Sequence, residues 1–193
     1  GDFVRIGPPD ETDLTDTLTF PNPGVYGDDR RFGAVAWIAR APQDVGTAWV
    51  ATGGGRVFIT ENASDPASSV VWTRLDPLAA NDPPRVISSI YVDPANARHA
   101  WISYNGYNAT VSPAGAEPNQ PGHVFEVTWD GAGAATWTDV SFNLPDFPIT
   151  AVVRDDVLGD LYAASDFGVM KLPNGATSWA VAGTGLPNVE VPG

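Results

Sequence analysis

Apolar and polar positions alternate along this chain in short runs, and clusters of Gly, Pro, Asn and Asp separate the runs. No segment sustains apolar residues at helical spacing. The pattern predicts short, half-buried strands joined by tight turns. Three stretches share one plan. The first reads Val35-Ala36-Trp37-Ile38, Ala48-Trp49-Val50-Ala51, a Gly53-Gly54-Gly55 turn, Val57-Phe58-Ile59 and Val71-Trp72. The second reads Val86-Ile87-Ser88-Ser89-Ile90, Ala100-Trp101-Ile102-Ser103, Val124-Phe125-Glu126-Val127 and Thr136-Trp137. The third reads Ile149-Thr150-Ala151-Val152-Val153, Leu161-Tyr162-Ala163-Ala164, Val169-Met170-Lys171-Leu172 and Ser178-Trp179. Each unit is four strands.

Spacing exposes one insertion. Trp49 to Phe58 is 9 residues and Tyr162 to Met170 is 8, but Trp101 to Phe125 is 24. The second unit thus carries about fifteen extra residues, at 106–122, which read as an excursion loop. Without them the repeat runs near 45 residues, the length of a four-stranded propeller blade. The expected fold is all-β: an incomplete β-propeller of about three to four antiparallel blades. Residues 33–80, 86–142 and 149–185 form one blade each, and 1–32 are a lead-in or partial blade. Residues 186–193 start another blade, because Gly185-Leu186-Pro187-Asn188 repeats the linker Asn143-Leu144-Pro145-Asp146.

Composition narrows the chemistry. The 193 residues include no Cys, which removes disulfides, thiolate nucleophiles and zinc fingers. Twenty-three acidic residues against ten basic ones give a net charge of -13, which argues against nucleic acid and anionic membrane surfaces as partners. Eighteen of the acids are Asp, a turn residue, so the acidity belongs to turns. No stretch approaches the eighteen apolar residues of a membrane span, so no membrane insertion is expected. Gly1 in place of Met reads as the start of a processed or excised piece.

The turns before the last Trp of each unit, such as Thr128-Trp129-Asp130-Gly131 leading to Thr136-Trp137, resemble degenerate Asp-boxes, the hairpins of bacterial neuraminidase repeats. The stretch from Trp137 to Val191, with Asn143-Leu144-Pro145, Leu161-Tyr162-Ala163-Ala164-Ser165-Asp166-Phe167-Gly168 and Gly185-Leu186-Pro187, resembles blades of sortilin-type and sialidase-like propellers. Similar blades occur in xyloglucan hydrolases and in a photosystem assembly factor. The resemblance covers roughly residues 33 to 191 and implies a fold more strongly than an activity.

Candidate site residues follow. Ser165-Asp166-Phe167-Gly168-Val169 resembles the segment in which xyloglucan hydrolases place a catalytic Asp, so Asp166 is the candidate catalytic carboxylate, with turn capping as its alternative role. Arg5 resembles the sialidase Arg-Ile-Pro arginine, with Gly7 breaking the match. Asp155-Asp156-Val157-Leu158-Gly159-Asp160 and Gly27-Asp28-Asp29-Arg30 are oxygen-rich turns; calcium is the one cofactor they suggest, and otherwise none is expected. His99 and His123 read as ordinary surface residues. Six Trp fall at repeat positions and read as core, while Trp129 falls in a turn and, with Tyr104 and Tyr107, offers stacking surfaces. In a propeller the loops between second and third strands share a face with the blade linkers. That face gathers the insertion, Arg85, Phe147, Asp166 and Phe167 as the expected binding surface. The expected function is a non-catalytic binding or scaffold module of a secreted or envelope protein, recognising a glycan or protein, with self-association as one way to complete the ring. The alternative is part of a sialidase- or xyloglucanase-like glycoside hydrolase.

Overall fold

The computed structural model describes residues 35–76, 83, 85–107, 122–186, 189 and 191. Expectations for residues 1–32, including Arg5 and the Gly27–Arg30 turn, and for the interior of the insertion lie outside them. Among the described residues twelve strands form three four-stranded antiparallel sheets, each in chain order. The first blade holds β1 (Val35–Arg40), β2 (Ala48–Thr52), β3 (Val57–Thr60) and β4 (Thr73–Arg74). The second holds β5 (Ile87–Val92), β6 (His99–Tyr104), β7 (Val124–Trp129) and β8 (Ala135–Asp139). The third holds β9 (Ile149–Arg154), β10 (Leu161–Ser165), β11 (Gly168–Leu172) and β12 (Ala180–Val181). Strand β5 packs against β1, and β9 against β5, so the first strands of successive sheets line the inner side. The described residues form three blades of an incomplete β-propeller.

Every inner strand opens with the same irregularity. Pairing jumps past one residue after Val35, after Ile87 and after Ile149, which leaves Ala36, Ser88 and Thr150 without register partners. Such a bulge turns the extra side chain off the ladder. In the second and third blades that side chain is a hydroxyl that reaches forward. Ser88 Oγ donates to Ile149 O at 2.5 Å, and Thr150 Oγ1 donates to Val191 O at 2.5 Å. Ser103 Oγ lies 2.8 Å from both Ser88 Oγ and Ser89 Oγ, and Ser89 Oγ accepts the Val152 N–H at 2.8 Å. Each hydroxyl has one proton, so the chain runs one way: Ser89 donates to Ser103, Ser103 to Ser88, and Ser88 to the carbonyl of Ile149.

Period-two alternation gives the middle blade two apolar faces. Ile102, Tyr104, Phe125 and Val127 pack toward Trp49, Val57, Ile59 and Leu75 of the first blade. Trp101, Val124 and Val140 pack toward Val152, Leu161, Ala163, Leu172 and Trp179 of the third. Indole N–H groups tie the seams: Trp49 Nε1 donates to Ala97 O and Trp179 Nε1 to Val140 O, each at 2.8 Å. Register makes Ile38, Ile90 and Val152 equivalent. The last two are 4% and 2% exposed against a preceding blade, whereas Ile38 is 65% exposed.

Ser89→Ala strands the buried Val152 N–H and is expected to cost about 1–3 kcal/mol in urea unfolding. A cost near zero would mean that this seam opens freely.

Candidate functional site

Arg85 is consumed inside the protein. Its guanidinium donates to Gly106 O at 3.1 Å and to Gly122 O, the carbonyls at the two ends of the insertion, and lies 6.0 Å from the Tyr104 ring centroid. It therefore staples the neck of the excursion loop. Gly122 has φ +114°, and a Cβ there would sit 2.6 Å from the Phe125 ring, so the neck admits no side chain at that point. His123 is buried beside Arg85, its Nδ1 3.5 Å from Nη1 and its Nε2 3.3 Å from Asp146 Oδ1. Burial and the neighbouring Arg85 charge lower its pKa. The neutral ring thus donates from Nε2 to Asp146 and turns its Nδ1 lone pair to Arg85.

The other expected binding residues divide. Phe147 is buried and meets exposed Phe167 edge-on, centroids 5.5 Å apart. Tyr107 is exposed and Tyr104 is fully buried, its ring edge on Phe125. Trp129 is no turn residue: β7 runs through it to pair with Ala135, and it is buried facing the first blade, 5.4 Å from the Arg98 guanidinium. Arg98 in turn binds Glu61 of the first blade at 2.6 Å, so Trp129 is seam packing and its stacking role is corrected. Asp166 sits in the two-residue β10–β11 turn, where Ser165 Oγ accepts the Phe167 N–H and donates to Gly168 O.

The second seam holds a site that the sequence reading passed over. Cross-strand register puts Tyr91, Trp101, Glu126 and Thr138 in one row facing the third blade. The matching row of the first blade is Ala39, Trp49, Ile59 and Thr73, and fully buried Ile59 helps close that seam with apolar contact. A carboxylate in place of Ile59 cannot be buried without partners. Around Glu126 the second seam opens into a pocket of about 480 Å³.

His99 neutralises the wall of this pocket. Its Nδ1 meets Asp93 Oδ2 and its Nε2 meets Glu126 Oε1, both at 2.8 Å. Two carboxylate acceptors require two N–H donors, the imidazolium form. Burial alone would lower the His99 pKa, but the hydrogen bonds to Glu126 and Asp93 prevail and raise it. The His99 bond holds Glu126 below the usual carboxyl range, and Asp93 is also lowered, its burial outweighed by bonds from the Ala95 N–H and His99. Trp101 lies between cations, 4.4 Å from the His99 centroid and 5.1 Å from the guanidinium carbon of Arg154 on the third blade. Arg154 also meets Asp156 at 3.4 Å, and Asp156 accepts Tyr91 OH at 2.7 Å. Burial and that bond push the Tyr91 pKa up to about 12.

Phe142 stands at the edge of the pocket with φ +45°, a left-handed conformation unusual for a bulky residue, and the residue is 47% exposed. Its neighbours hold it there. Ser141 Oγ accepts the His123 and Val124 N–H groups, while Asn143 donates to Trp179 O at 3.1 Å and accepts the Trp179 N–H at 2.6 Å.

His99, Glu126 and Phe142 were not among the residues singled out from the sequence. His99, read there as a surface residue, is half-buried because its turn folds back on Asp93. One signal existed: in the repeat, His99 falls where the first blade has Thr47 and Glu126 where it has Ile59. The third blade holds a reversed pair at these positions, Asp160 and Lys171, 2.6 Å apart. The 155–160 turn uses its oxygens internally: Asp155 caps the Val157 and Leu158 N–H groups, and Asp160 takes Lys171 and the Asn174 N–H. Among the described residues no three His, Asp or Glu side chains are arranged to hold a metal ion, and no helix is long and apolar enough to cross a membrane.

No protein-family model matches the chain, and no curated protein matches it. Among solved structures it is similar to YCF48 from Cyanidioschyzon merolae, with 16% identity, 76% of this chain and 55% of that chain covered, and a TM-score of 0.33. The chain thus spans about half the length of that relative. The propeller architecture is defined by the topology of the three sheets.

The two histidines are expected to titrate in opposite senses by NMR, His99 above and His123 below the ordinary 6.5. By linkage, the His99 contribution to stability is fully present below 6.5 and fades as pH rises through its folded pKa. The His123 contribution is present above 6.5 and fades as pH falls through its own. The reverse order would contradict both hydrogen-bond assignments. Arg85→Ala, which removes two carbonyl contacts at the loop neck, is expected to lower stability by about 2–3 kcal/mol, and Arg85→Lys to restore less than half. An unchanged unfolding midpoint would rule out the staple.

Proposed function

We propose that this chain is a non-catalytic binding module of a secreted or envelope protein, related to the Asp-box propellers of sialidase and sortilin type. Its blades hold the second-seam pocket in fixed geometry for a glycan, with a protein partner as the second candidate. One observation carries this reading. Both carboxylates of the pocket wall are engaged by His99 and held ionised. A glycoside hydrolase needs one carboxyl held protonated to donate to the leaving oxygen. Ionised, anchored carboxylates serve better as hydrogen-bond acceptors for hydroxyl groups. The hydrolase alternative rests on Asp166 and its likeness to the xyloglucan hydrolase segment.

The test is hydrolysis of β-glucan, xyloglucan and sialoside by the protein between pH 4 and pH 8. Release of sugar at the level of the buffer blank, for the protein and for Asp166→Asn alike, is the expected result. Turnover that disappears in Asp166→Asn would establish the enzyme instead.

A further inference from the structure

Resting on the binding-module reading, we propose that the second-seam pocket takes a neutral pyranose of a glycan chain, stacked on Phe142 and hydrogen-bonded through its hydroxyls to Glu126. The argument begins with the backbone of Phe142. A bulky residue in the left-handed region is strained, and strain of this kind persists only where the surroundings over-determine it. Here they do, through Ser141 on one side and the reciprocal Asn143–Trp179 pair on the other. The outcome is an aromatic ring left about half exposed at the edge of a cavity, where a core residue would have turned inward. Glycine at this position would relieve the strain, and Phe142 belongs to neither apolar core cluster.

The pocket's charges select the ligand. Asp93 and Glu126 are balanced by His99 and Arg154, so the lining carries no net positive charge to attract a carboxylated or phosphorylated sugar, which the chain's net charge of -13 disfavours. His99, held as a cation between those acids, and Arg154 line the same space, so a cationic ligand is opposed as well. What remains favourable is a neutral molecule rich in hydroxyls. Glu126 spends Oε1 on His99, and its other oxygen has no protein donor among the described residues. Asn174, Thr138 and Arg154 supply donors around the same volume. The C–H face of a pyranose matches the exposed phenyl ring, and its hydroxyl rim matches this mixed set. A volume of about 480 Å³ has room for one or two such rings.

The test is titration of the protein with neutral oligosaccharides (cellotetraose, laminaritetraose, mannotetraose and lactose) and with 3′-sialyllactose, read by ligand-observed NMR and calorimetry. At least one neutral sugar is expected to saturate with Kd between about 10 μM and 1 mM, and the sialoside to bind at least tenfold more weakly. Phe142→Gly is expected to weaken binding by about tenfold or more while the melting temperature stays at or above that of the unmodified protein, because the left-handed strain is relieved. A residue kept only for packing would not show that combination. Glu126→Gln is expected to weaken binding by about tenfold, and Val71→Ala, exposed on the first blade, to leave it unchanged. Neutral-sugar binding that survives Phe142→Gly, a sialoside bound as tightly as the neutral sugars, or no binding of any panel member at about 10 mM would each overturn the proposal. The first two results leave the binding-module reading standing, which Asp166-dependent hydrolysis alone would remove.

Discussion

Packing between consecutive blades is the constraint on which this structure depends. A single four-stranded sheet with apolar residues on both faces cannot bury them alone, and each face is covered only when a neighbour stacks on it. The second blade meets that condition on both sides, with Trp49 and Ile59 against one face and Val152, Leu161 and Trp179 against the other. The seams are also specified by polar groups. The Ser89–Ser103–Ser88 hydroxyl chain reaches Val152 and Ile149 of the next blade, and indole N–H groups of Trp49 and Trp179 end on carbonyls across the gaps. Buried hydrogen bonds of this kind fix the distance and register at which two apolar faces meet, which hydrophobic burial alone leaves loose.

The same seam plan yields two different results. Between the first and second blades, Ile59 and its row close the interface with apolar contact. Between the second and third, Glu126 occupies the equivalent place, and a carboxylate there demands a cation and space. His99 supplies the cation, Arg154 stacks over Trp101 from the neighbouring blade, and the remaining space is the pocket. A site thus arises where two equivalent positions of the repeat carry His99 and Glu126 in place of Thr47 and Ile59. The reversed Asp160–Lys171 pair on the third blade shows the same two positions tolerating charge a second time.

Much of the architecture was legible in the linear pattern. Alternating apolar runs marked the strands, the recurrence of Trp49, Trp101 and Tyr162 marked the repeat, and the long Trp101-to-Phe125 interval marked the insertion. The site was far less legible. His99 and Glu126 are separated by the excursion loop, and only the β6–β7 register brings them together. Trp129 was misplaced because Asp130-Gly131 is a turn signal, while the strand runs up to that signal and buries the indole before it. Arg85 and Tyr104 lie at the base of the insertion, near the expected binding face, but Arg85 commits both Nη groups to the loop neck and Tyr104 is packed beneath it. Loop length and residue type point to a region; which side chains remain available depends on hydrogen-bond partners that spacing does not reveal.

The seam as one rigid, energetically coupled unit is tested most directly by a double-mutant cycle on Trp101 and Arg154, which belong to different blades and whose ring and guanidinium lie 5.1 Å apart. Unfolding free energies of Trp101→Leu, Arg154→Met and the double variant are expected to show a coupling of about 0.5–2 kcal/mol. Additivity of the two substitutions within about 0.3 kcal/mol would show that the second and third blades are not held together there, and the pocket would lose its fixed geometry with them.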